Sequence, residues 1–296
     1  MSVLGVGRVT PIDLALLIQK IRPAAQLLRS RTLAGGVSAR VTALEIRKVD
    51  GQIEVLVVRE YGPRDLQTHP DVARQEFNLL RALYAAGLPV PQPHHVEAGV
   101  LIIDFMDGQP EFEPADGTAC VRQMAAFLAR LHALPPAAFA FLRPLATPSP
   151  RPENPDDSLS EGRIRDALDR LETPPLTLPA VLHGDFWSGN ILWSGGCLNA
   201  LIDWEDAALG DPLADVGNAR LELLFFLGRE AMRAFTDEYA VLSGVEMTPL
   251  PYWDLRAALR PCGRLSEWGL EQELERQVRE RHREFVASAL EQLQLP

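Results

Sequence analysis

The apolar positions change rhythm along the chain, and the changes mark its elements. Ile12, Leu16, Leu17 and Ile21 recur on one helical face. Thr10 as N-cap, Pro11 at the first helical position and Asp13 in the first turn predict where that helix opens. Residues 33–42 read as a glycine-containing turn entering a strand. Residues 41–49 and 52–59 are β-rich runs joined by Asp50-Gly51, a strong hairpin signal, and predict a small antiparallel sheet. His69-Pro70-Asp71 opens a second helix carrying Val72, Phe77, Leu80, Leu83 and Tyr84, with Gly87 as its C′ residue. Pro89, Pro91 and Pro93 then hold the chain extended. The apolar run 100–106 reads as a buried strand, ended by an Asp107-Gly108 turn where two lobes would meet.

Beyond that turn the helical rhythm dominates. Residues 118–134 predict a helix, and 143–158 a loop, because Pro144, Pro148, Pro150, Pro152 and Pro155 interrupt every pattern there. A short helix over 160–171 precedes a strand–loop–strand segment at 181–204. Helices fill most of 215–294, interrupted near 244–251 and 261–263. No internal repeat is visible. A strand-rich first third, a strand–loop–strand centre and a helical last third predict an α+β chain in two parts, 1–107 and 108–296.

Length and composition fit that reading. The chain of 296 residues is 47% apolar and 23% charged, long enough for two cores. No apolar run approaches the ~20 residues of a membrane span. The N-terminus lacks a basic stretch followed by an apolar one, so no signal peptide and a cytoplasmic location are expected. Cys120, Cys197 and Cys262 are widely spaced and odd in number, which argues for reduced thiols and against structural zinc. The net charge of −11 disfavours a nucleic-acid partner. Residues 1–107 hold 12 basic and 11 acidic side chains, whereas the remainder holds 17 and 29. An acidic second part would attract a cationic acceptor such as an amine; a solvated surface that aids solubility is the plainer account.

The chemistry concentrates between residues 181 and 215. Asp185, Asn190 and Asp203 follow one another beside apolar segments that would hold them rigidly. Asn190 and Asp203 offer hard oxygen ligands suited to Mg²⁺, which fills its shell with water and nucleotide phosphates. Asp185 is then free to act as a base toward an incoming hydroxyl. A base and metal ligands are the parts phosphoryl transfer needs. Each has a structural rival: an aspartate capping a turn beside Gly184 and Gly189, and an asparagine closing its own loop. Asp203, flanked by Ile202 and Trp204, would need a cation or several donors to offset its desolvation.

The array His183-Gly184-Asp185, Asn190, Ile202-Asp203-Trp204, Gly210-Asp211-Pro212 and Asp215 resembles that of the aminoglycoside phosphotransferase and choline kinase-like family, relatives of the protein kinases. The resemblance covers about residues 30 to 260. It implies a two-lobed kinase-like fold, with a small antiparallel-sheet nucleotide-binding lobe over 1–107 and a mainly helical catalytic and acceptor-binding lobe over 108–296. It implies Mg²⁺ and ATP, with GTP the alternative, and a small-molecule acceptor whose identity it leaves open, as it does the oligomeric state. Gly35, Gly36 and Ser38 lie where the family places a loop over the phosphates. Arg59 stands where kinase-like folds use a phosphate-binding lysine, with Glu76 as its helix partner; a surface arginine and a solvated glutamate are the rival account. Ile103 and Phe105 belong to the stretch whose backbone would meet the adenine edge. His183 would hold the loop without transferring protons, and Asp211 and Asp215 would brace it. Trp187, Glu222, Glu267 and Trp268 are candidates for acceptor contacts, although helical packing accounts for them equally well. Glu205 and Asp206 read as surface or supporting residues.

The leading reading is therefore a small-molecule O-phosphotransferase. A nucleotide-binding protein of the same fold without transfer activity is the alternative, motivated by Arg59 and the thin glycine loop. A metal-dependent hydrolase would need further His/Asp pairs at ligand spacing, which the sequence does not show.

Overall fold

A computed structural model of the chain describes residues 13–33, 39–176 and 178–295. Gly35, Gly36, Ser38 and the stretch Thr10–Ile12 lie outside the described residues. The described residues up to Asn78, together with Pro91–Phe105, form one compact unit; Leu79–Val90 and the residues from Met106 onward form a second.

In the first unit, helix α1 (Leu14–Ile21) begins at Asp13, whose Oδ1 accepts the N–H groups of Ala15 and Leu16, each at 3.1 Å. Asp13 is thus the N-cap of this helix and not a first-turn residue, in keeping with the stronger capping of aspartate over threonine. The strands β1 (Gln26–Thr32), β2 (Ala39–Arg47) and β3 (Ile53–Tyr61) lead into α2 (Pro63–Thr68) and α3 (Val72–Ala85), and then into β4 (Pro93–Glu97) and β5 (Val100–Asp104). The strands make one antiparallel sheet in the order β1-β2-β3-β5-β4. The hairpin between β2 and β3 turns at Asp50-Gly51, as its residues predict. Gly51 takes φ +84°, and Asp50 Oδ1 accepts the Gln52 N–H at 2.9 Å.

Besides α2, two strands of this sheet escaped the pattern reading, β1 and β4. Both are edge strands; β1 is exposed along most of its length and shows no apolar alternation. β4 starts on a proline, which is tolerated only at such an edge or strand start. Leu17 and Ile18 of α1 pack against Leu44, Ile46, Leu56, Val58, Val100 and Ile102, the alternate positions of three neighbouring strands. Arg59 and Tyr61 have the other parity on β3 and face away from this core.

α3 ends as expected at Gly87: its N–H donates to Tyr84 O at 2.9 Å, and Leu88 N–H donates to Leu83 O at 3.1 Å. The second unit continues with α4 (Gly117–His132), capped by Asp116, and α5 (Glu161–Arg170). The proline-rich segment between them is pinned at its start, where Leu145 N–H donates to Leu209 O at 2.8 Å. Strands β6 (Ala180–Leu182), β7 (Ile191–Ser194), β8 (Cys197–Leu201) and β9 (Ala208–Gly210) form two small pairs, β6 with β9 and β7 with β8. Helices α6 (Leu213–Phe226), α7 (Gly228–Ser243), α8 (Leu250–Ala258) and α9 (Gln272–Gln292) complete the unit. α6 buries residues on all sides, from Leu213 and Val216 to Leu224 and Phe225, and so lies at the centre. The cysteines are free thiols: Cys197, where β8 begins, is exposed, whereas burial pushes Cys120 up to about 11 and Cys262 up to about 12. No described helix is long and apolar enough to cross a membrane.

Candidate active site

The segment after β6 is fixed from below by α6. Asp215, in the first turn of α6 and 1% exposed, accepts the N–H of His183 at 2.7 Å and that of Gly184 at 2.9 Å. Burial raises its carboxyl, but the hydrogen bond and charge of His132, the nearby His183 and the Gly184 N–H together hold it below the usual carboxylate range. Asp211 Oδ1 accepts the Leu213 N–H at 2.9 Å and so caps the same helix, with Pro212 leading it. Gly184 has φ +84°, and an added Cβ would strike the carbonyl oxygen of Asp206. His183 is fully buried; its Nδ1 accepts the Asp185 N–H at 3.2 Å, and its Nε2 donates to Ile202 O at 3.1 Å. These contacts fix its tautomer and leave neither ring nitrogen for proton transfer.

Two donors hold the Asp185 carboxylate. Asn190 Nδ2 donates to Asp185 Oδ2 at 3.1 Å and to Asp185 O at 2.9 Å, while Arg260 Nη2 donates to Oδ1. Arg260 Nη1 also donates to Gly184 O at 2.9 Å. The nitrogen of the Asn190 amide is thereby committed to Asp185, which leaves its Oδ1 as the atom able to coordinate a cation. Ile202 N–H donates to Asn190 O at 2.9 Å, which brings the chain before Asp203 alongside Asn190. Asp203 itself takes φ +66°, left-handed backbone that costs a side-chain-bearing residue about 1 kcal/mol and is best tolerated by Asn and Asp. Among the described residues no group of three or more His, Cys, Asp or Glu could hold a metal ion. An ion here would draw on the amide oxygen of Asn190 and the carboxylate of Asp203.

The backbone at Asp203 separates charge from conformation. Asp203→Asn keeps the tolerance for left-handed φ, so its unfolding free energy should stay within about 0.5 kcal/mol of the parent protein. If Asp203 holds the ion, Asp203→Asn should lower turnover about 100-fold or more. Denaturant melts beside a turnover assay would check this, and parent-like turnover in Asp203→Asn would remove Asp203 from the site.

Glu222 on α6 sits in the field of Asp185. Its Oε2 is buried without a hydrogen-bond partner, and its pKa rises to about 8, first through burial and then through the Asp185 charge, offset by Arg260. Asn218, one turn earlier, donates from Nδ2 to Phe186 O at 3.3 Å, and its Oδ1 is buried without a partner. Trp187 joins Phe112 and Phe226 in an aromatic group, with centroids 5.9 and 6.4 Å from its own. Of the other proposed acceptor contacts, Trp268 packs edge-on against Phe225 at 6.4 Å and Glu267 is exposed. A cavity of about 380 Å³ opens beside Gly184, walled by Arg143, Ser149, Asp206, Arg256 and Arg260 among others.

In the first unit, Arg59 is 8% exposed and Glu76 is 4% exposed, which rules out the account of a surface arginine with a solvated glutamate. Arg59 Nη1 lies 3.3 Å from Glu76 Oε1, and Tyr61 Oη donates to Glu76 Oε2. The Arg59 guanidinium also lies over the Tyr61 ring, 5.8 Å from its centroid. Tyr61 was missed in the sequence, although its position two residues on from Arg59 puts it on the same strand face. Ile103 lies in the ladder opposite Val57, and Phe105 N–H donates to Val55 O at 3.3 Å.

Residues 30–241 match the phosphotransferase enzyme family (APH), and the chain belongs to it. Acyl-CoA dehydrogenase family member 10 of Mus musculus is 25% identical over 227 residues, which cover 68% of this chain but 21% of that protein. The fold is that of spectinomycin phosphotransferase APH(9)-Ia, solved with ADP and spectinomycin: TM-score 0.63, 15% identity, 97% of this chain and 100% of that one. Amicoumacin kinase hAmiN, solved with AMP-PNP, Ca²⁺ and Ami, aligns with TM-score 0.62 at 13% identity over 94% of each chain.

Proposed function

We propose that this chain is an ATP- and Mg²⁺-dependent small-molecule O-phosphotransferase, with GTP the alternative donor. The observation that carries the reading is Asp185: Arg260 and Asn190 hold its two oxygens, in a loop whose preceding N–H groups are bound by Asp215. Such a carboxylate is too weak to ionise an alcohol in advance. It orients the acceptor hydroxyl and takes its proton as the new oxygen–phosphorus bond forms and the bond to the departing ADP breaks. Asn190 and Asp203 would hold Mg²⁺, which when bound neutralises charge spreading over the phosphate oxygens.

Arg59 is the group for the nucleotide phosphates. Glu76 and Tyr61 fix its side chain, so little ordering is left for binding, and its planar fork suits phosphate oxygens. ADP bound to spectinomycin phosphotransferase and AMP-PNP bound to amicoumacin kinase support a nucleotide donor here. Acceptor-dependent release of ADP from Mg·ATP across a panel of hydroxylated small molecules, with GTP in a parallel arm, tests the reading. Turnover should stop when EDTA removes the metal and return with Mg²⁺. Thermal stabilisation by nucleotide without turnover on any acceptor would put a nucleotide-binding protein lacking transfer activity in its place.

A further inference from the structure

The second part of the chain is strongly acidic, yet the cavity beside Gly184 is not. Three arginines, Arg143, Arg256 and Arg260, line it, against the exposed carboxylate of Asp206. The carboxylate of Asp215 also borders it, but that charge is taken up by two N–H groups and His132. Each guanidinium is steadied by a main-chain carbonyl, and Arg143 and Arg260 are also paired with the carboxylates of Asp206 and Asp185. Arg143 Nη2 donates to Glu205 O at 3.3 Å, Arg256 Nη2 to Ala146 O at 2.8 Å and Arg260 Nη1 to Gly184 O at 2.9 Å. Arg143 also meets Asp206 at 3.2 Å, and Arg256 lies over the Trp253 ring, 5.3 Å from its centroid. Among the described residues Arg256 has no carboxylate partner. Arg260 belongs to both places, since its other nitrogen holds Asp185.

We infer that this cavity is the acceptor site, and that the acceptor is a hydroxylated small molecule carrying a carboxylate or phosphate. The inference rests on the phosphotransferase reading and deepens it. Asp185 does not itself line the cavity; Arg260 does and also donates to Asp185, so an anionic end held by Arg256 would leave the hydroxyl end toward Arg260 and the base beyond it. About 380 Å³ suits a compound of sugar size. An ammonium group in the same place would face the Arg256 guanidinium, which no carboxylate among the described residues pairs, so charge there selects against the cationic acceptor that the acidity of the whole second part suggests.

The test presents one six-carbon polyol with four different ends: gluconate, sorbitol 6-phosphate, sorbitol and glucamine. Binding is measured by calorimetry without nucleotide, and turnover with Mg·ATP. Gluconate or sorbitol 6-phosphate should bind at least about tenfold tighter than sorbitol and glucamine. Arg256→Gln should remove that preference by about tenfold, Arg256→Lys should restore part of it, and both should melt like the parent protein. Binding of glucamine as tight as that of the anions, no binding of either anion, or an unchanged preference in Arg256→Gln would overturn the inference. Turnover of glucamine or sorbitol alone would sink it while leaving phosphotransfer standing. Anion binding that depends on Arg256, with no turnover on any acceptor, would uphold the anion site and sink the phosphotransferase reading.

Discussion

Asp185→Ala should lower turnover by about 10³- to 10⁴-fold and leave nucleotide binding and the melting temperature close to those of the parent protein. The loop does not depend on that side chain. Asp215 holds the N–H groups of His183 and Gly184, and Asn190 Nδ2 donates to the main-chain carbonyl of residue 185, so both braces survive the substitution. What is lost is the group that orients the hydroxyl and receives its proton. Steady-state ADP release, nucleotide-dependent thermal shifts and a melt measured on the same samples separate these effects. Turnover within about tenfold of the parent protein would mean that another group serves as base.

Glu222→Gln should stabilise the fold by an amount that grows with pH, from almost nothing near pH 4.5 to on the order of 3–5 kcal/mol near pH 8. The folded pKa of about 8 lies above the ordinary 4.5, so the carboxyl is fully compatible with the fold only below that lower value. As pH rises between the two, the unfolded chain ionises freely while the folded one must keep its proton or bury a charge beside Asp185, and stability falls. Glutamine has nothing to ionise and removes that slope. Because Asp185 contributes to the shift, the gain from Glu222→Gln should be smaller in an Asp185→Ala background. Urea melts at pH 5, 6.5 and 8 would show this, and equal gains at all three would refute it.

Much of this was legible because short-range chemistry dictated it. Asp50-Gly51 marks its hairpin through the backbone a tight turn needs, and the run from His183 to Asn190 is legible because it forms one short loop between β6 and β7. Arg59 and Glu76 could be paired on paper only through resemblance, and their burial together is a matter of packing. The strand over Gln26–Thr32 was invisible because an exposed edge strand needs no apolar alternation. Arg260 was out of reach for another reason. It reaches Asp185 from 75 residues further along the chain, with no spacing rule to announce it. The charge of the cavity was hidden likewise, since summed acidity says nothing about which side chains turn inward.

The three thiols differ enough to matter at the bench. Cys120 and Cys262 are masked, the first held near 11 and the second near 12, while Cys197 stands exposed where β8 begins. A maleimide dye at neutral pH should therefore label one position without any engineered cysteine or removal of the other two. That position lies at the turned end of the hairpin that links Asn190 to Asp203, away from the site, where a dye leaves those two residues untouched.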